Sequence, residues 1–122
     1  MSKKEPSRTL ITRWHGMVAW YVAVYGPVAK GEGAVQFHHV KGRAYVHNKI
    51  HIGEFFILPL PWELHDVHSN SGLNVTHFPK NFVAEHGKQS ELWMSMVEEI
   101  RGYYQQLPFG QDVIDAIMDT GL

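Results

Sequence analysis

Cysteine is absent from all 122 residues, which excludes disulfides, thiolate zinc sites and cysteine nucleophiles. Net charge is nearly absent too: 11 basic residues face 12 acidic ones, for a formal value of -1 at pH 7. A domain that coats nucleic acid by bulk electrostatics carries a clear basic excess, and this chain has none. No apolar run reaches bilayer length, since Met17 to Val24 is too short to span. The start, Met1 to Arg8, is short, polar and basic, with no apolar block of signal-peptide length behind it, so a cytoplasmic protein without membrane association is expected. Internal repeats, linkers and low-complexity stretches are missing as well. The expected organisation is therefore a flexible tail over residues 1–8 and a single domain over 9–122, with monomer and homodimer both open.

What is present is a strong apolar pattern. Apolar residues at 44% against 19% charged place the chain among folded globular proteins. From Thr9 to Tyr25, Leu10, Trp14, Met17, Val18, Tyr21, Val22 and Tyr25 recur at helical steps, and Gly26-Pro27 ends the pattern. Ala34 to Val40 and Arg43 to Ile52 are β-prone runs punctuated by glycines, which predicts a small hairpin. Phe55 to Leu60 reads as a strand buried on both faces, and Pro61 suits the first turn of a helix from about Trp62 to about His68. Helices are further predicted over Pro79–His86 and Ser90–Leu107, the latter with a stripe of Leu92, Met96, Ile100, Tyr103 and Leu107. Val113, Ile114, Ile117 and Met118 mark a last short amphipathic helix, and the fold class is α+β.

With no thiols, the 9 histidines carry any nitrogen-based metal chemistry. The densest arrangement is Gln36-Phe37-His38-His39-Val40-Lys41-Gly42 followed by Leu64-His65-Asp66-Val67-His68. Consecutive side chains on a strand point to opposite faces, so His38 and His39 divide labour and do not easily share one ion. His65 and His68, three apart on a helix, would lie on one face with His38. Three imidazoles around a divalent ion leave positions for water and a phosphate oxygen. His39, with an ordinary pKa of about 6.5, would then suit the role of general base. Lys41, Arg43 and Lys49 are either phosphate contacts or an ordinary solvated face.

These residues carry a resemblance. The segment from His38 to His68 resembles the HNH, or ββα-metal, nuclease motif, in which a ribbon supplies a ligand and a base and a short helix supplies the remaining ligands. Beyond it, Arg13-Trp14, GAVQFHHVKGRA, FFILPLPWELHDVH and FVAEHGKQSEL resemble, in that order over residues 13 to 97, the phage recombination-enhancement nucleases of the Ref type. The resemblance implies a ββα-metal core between an N-terminal helix and C-terminal helices. It also implies a DNA endonuclease of phage or prophage origin that uses Mg, Mn or Zn. His39 would be its catalytic base and His38, His65 and His68 its ligands, and a RecA-type recombinase filament on DNA would be a partner. The family's cysteine positions read here as Tyr21, Val24, Pro61 and Leu64, and its base-orienting asparagine reads as Phe56, with Glu54 or Asn48 as the alternatives for that role.

Two rivals stay open: a non-catalytic nucleic-acid- or protein-binding module on the same fold, and a different metal set of His47, His51 and Glu54 with one helical histidine. His15 reads as structural and His86 as a helix C-terminal residue favoured by the dipole, while His77 fits either reading.

Overall fold

A computed structural model describes residues 5–122 of the chain; of the tail expected over residues 1–8, Met1 to Lys4 lie outside them, and Ser7 and Arg8 already cap and open a helix. Helix α1 runs Arg8–Tyr25, one residue earlier than the apolar pattern begins, because Ser7 Oγ accepts from the Leu10 amide at 3.2 Å and caps it. Strand β1 is Val35–His39, β2 Val46–His47, β3 Ile50–His51 and β4 Ile57–Pro61. Helix α2 is Trp62–His65, α3 Pro79–His86, α4 Gln89–Tyr104 and α5 Gln111–Asp119. This is an α+β fold, with five helices and two two-stranded sheets among the described residues. No described helix is long and apolar enough to cross a membrane.

The expected hairpin between Ala34–Val40 and Arg43–Ile52 is not the one that forms. β1 pairs antiparallel with β4, from Val35 opposite Pro61 to His39 opposite Ile57, while β2 and β3 fold on each other within the intervening segment. The reason is burial: every residue of β4 is buried, so its apolar run takes the central position beside β1 and leaves the more polar ribbon outside. Pro59 is tolerated because β4 has one strand partner, and its outward carbonyl accepts from the Val28 amide at 3.0 Å. Asn48 and Lys49 both take left-handed backbone (φ 53° and 64°), the two-residue turn that joins β2 to β3.

The core lies between α1, β4 and α4. The buried indoles of Trp14 and Trp93 both donate to the Phe55 carbonyl, at 2.8 and 2.9 Å, and Phe109 packs against both rings. One carbonyl thus ties the approach to β4 to two helices. The α4 stripe is rotated from the expected one: Trp93, Met96, Val97 and Ile100 are buried, whereas Tyr103 is exposed and stacks on Trp20 at 4.3 Å. The helix ends at Tyr104, short of Leu107, where Gln105 adopts left-handed backbone.

Candidate metal centre on two faces of one strand

Because β1 alternates, its paired histidines look onto different neighbours. On one side are Gln36 and His38, facing α2 and the start of α4. The His38 and His65 rings approach with centroids 5.0 Å apart, and His38 Nε2 bonds to Gln89 Oε1 at 3.2 Å. Gln36 links this pair to a carboxylate: its amide nitrogen donates to Asp66 Oδ2 at 3.1 Å, and its oxygen lies 2.6 Å from His65 Nδ1. That direction makes Nδ1 the protonated nitrogen of His65 and leaves Nε2 with a free lone pair, the tautomer a metal ligand needs.

On the other side, Phe37 and His39 face α1. The His15 ring lies 5.7 Å from Phe37 and 5.8 Å from His39, centroid to centroid. Glu54, in the turn before β4, brings Oε1 to 3.8 Å from His39 Nε2 and accepts from Arg43 Nη1 at 3.1 Å. The Nε2 atoms of His15 and His39 are buried without a hydrogen-bond partner.

Burial governs the protonation of both groups. It pushes the His38 imidazole down to about 4, helped by the nearby charge of His65 and opposed by the Gln89 bond. His39 falls to about 4 as well, from burial first and the Arg43 guanidinium second, against a smaller upward pull from Glu54. His15 and His65 are also lowered, chiefly by burial. All four are therefore neutral at pH 7. Neutrality suits metal binding, which requires a free lone pair. It fits the expected general-base role of His39 less well, because a group at about 4 is a weak proton acceptor near neutrality.

The structure brings His38 and His65 together but leaves His68 apart. Helix α2 stops at His65, and Asp66 turns extended (φ -70°, ψ 139°), its carboxylate accepting from the His68 amide at 2.9 Å. An aspartate that bonds the backbone two residues on competes with the helix and here ends it, so the one-face argument for His65 and His68 fails. Buried Asn74 pins the loop between α2 and α3, donating to the Glu63 and Asp66 carbonyls and accepting from the Thr76 and His77 amides.

The basic residues are dispersed. Lys41 lines the same cleft as His38 and Gln89. Arg43 lines the cleft beside His15, and Lys49 sits at the tip of the β2–β3 turn. Nor do His47, His51 and Glu54 converge: among the described residues only His15, His39 and Glu54 offer ligand atoms all within 4.8 Å of one another, and His47 bonds Asp119 on α5. His15 is thus the member that sequence reasoning missed, while Glu54 was expected in a different set, with His47 and His51. The available signal was helical phase, since His15 lies one turn from Ile11 and next to buried Trp14.

No protein-family model, curated protein or solved structure matches the chain.

Proposed function

We propose that this chain is a metal-dependent endonuclease that hydrolyses DNA phosphodiester bonds with an HNH-like ββα unit. One observation carries the reading: β1, β4 and α2 follow the ββα order, with α2 beginning directly after β4, and they set His38 against His65 beside a cleft that also holds Lys41. The donor chemistry fits a divalent ion, because His65 is held in the ligand tautomer by Gln36 and Asp66. When bound, such an ion polarises a phosphate oxygen and makes water more acidic. His38 and His65 serve as ligands, and His68 joins them only through a change in the Asp66 turn. Lys41 and Arg43 orient phosphate by charge, Lys41 from the His38 side and Arg43 from the His39 side. His39 is the histidine whose removal slows cleavage most, since its unpartnered Nε2 is free to hold an ion or accept a hydrogen bond. DNA, with a RecA-type filament on it, is the partner this reading assigns.

The test uses the purified chain on single-stranded and supercoiled DNA with magnesium, manganese or zinc. Cleavage by wild type in at least one metal is expected, with His39→Ala slower by about a hundredfold or more. If wild type and His39→Ala are equally inert throughout, the nuclease reading is lost and a non-catalytic binding module takes its place.

A further inference from the structure

We infer that His15, His39 and Glu54 form a divalent-cation site on the α1 side of β1, separate from the His38–His65 pair. The ligands come from three elements that the core fixes independently: α1, β1 and the turn before β4. Their donor atoms lie within 4.8 Å of one another, and His39 Nε2 and Glu54 Oε1 are already at 3.8 Å. An ion with bonds of about 2.1 Å in tetrahedral geometry holds its donors about 3.4 Å apart, so modest side-chain movement closes the set.

A further feature points to a ligand. Both imidazoles present a buried Nε2 that no protein group satisfies, and the structure otherwise partners its buried polar side chains among the described residues, with His86 the one exception. Buried polar atoms in folded proteins are nearly always paired, and one shared ion accounts for both orphans together.

Access comes from a cleft of about 560 Å³ into which His15 and Glu54 open, with Arg8 and Arg43 in its wall. Two imidazoles and one carboxylate suit zinc, iron or manganese better than magnesium or calcium, and three protein ligands leave coordination positions free. Arg8 and Arg43 can orient an anionic group such as phosphate at those positions, opposed in the same wall by the Glu5 carboxylate. Arg43 now occupies Glu54 Oε1 and competes with the ion for it. The inference rests on the nuclease reading only for the nature of that phosphate, and it makes His39 a ligand in place of a free base.

The experiment titrates the metal-free full chain with Zn²⁺ by calorimetry and with Co²⁺ by visible absorption. His15→Ala and Glu54→Gln are each expected to weaken binding at this site at least tenfold, Arg43→Gln to tighten it, and His65→Ala to leave it unchanged. Wild-type binding that survives unaltered in both His15→Ala and Glu54→Gln overturns the site, as does loss confined to His65→Ala. To avoid dependence on variants that fold poorly, Co²⁺-induced shifts of the wild-type imidazole resonances are recorded. The largest shifts are expected on His15 and His39, and their absence there while other histidines shift also overturns the proposal. DNA cleavage is scored separately: a filled site without cleavage sinks the nuclease reading alone, and cleavage with no ion at these residues sinks this inference alone.

Discussion

His38 provides the sharpest link between burial and an observable. Its imidazole titrates at about 4 in the folded chain against 6.5 unperturbed, first because burial disfavours the charged ring and then because His65 is close. Between those values the unfolded chain binds more protons than the folded one, so stability must fall as pH drops from 6.5 toward 4 and level off above 6.5. At pH 4.5 the difference corresponds to about 2.5 kcal/mol from this one side chain, relative to neutral pH. Glutamine at position 38 keeps a polar group near Gln89 and removes the titration. Urea unfolding of wild type and His38→Gln, followed by circular dichroism in a chelator at pH 7 and pH 4.5, isolates the term, because His39 titrates in both proteins. The wild type should lose about 2.5 kcal/mol more than the variant on acidification, a difference of about 1 to 2 M in urea midpoint for a chain of this size. Equal acid sensitivity in the two, within about 0.5 kcal/mol, would refute the assignment of a buried neutral imidazole at this position.

Two further outcomes test the frame around the site. Trp14→Phe and Trp93→Phe should each cost about 2 kcal/mol, and the double variant should exceed their sum by about 1 kcal/mol in chemical unfolding, since the Phe55 carbonyl then keeps only the bent bond from the Ile57 amide; strict additivity would mean the two indoles do not share that acceptor. Lys49→Gly should raise stability by about 0.5–1 kcal/mol, read as a higher midpoint in thermal or urea unfolding, because glycine accepts the left-handed backbone that lysine adopts there at φ 64°.

Much of the secondary structure was legible from local pattern. The helical spacing from Leu10 to Tyr25, the double-sided apolar run that became β4, and Pro61 leading into α2 all lie where local chemistry puts them. Local pattern failed where a long-range partner or a nearby side chain outweighed periodicity. β1 chose β4 over its sequence neighbour because burying β4 removes more apolar surface from water than pairing with the polar ribbon does. His68 left the helix because the Asp66 carboxylate captured its amide. On α4, Trp93 and Val97 took the core and turned Tyr103 outward, since the large indole fills the space beside Trp14.

The candidate site divides in the same way. Sequence by itself determined that histidine must carry any nitrogen ligation, since there is no cysteine, and that His38 and His39 must face apart if they lie on a strand. It also nominated His38 and His65 for one site, but their meeting depends on β1 pairing with β4, which the expected hairpin did not include. Tertiary structure alone decided what each histidine meets. Residues 15, 39 and 54 are distant in sequence, and only the packing of α1 across β1 sets two imidazoles and a carboxylate together. Their protonation is likewise a product of burial, which no residue type or spacing encodes: the same imidazole titrates near neutrality in water and well below it when the core withholds water from its charge.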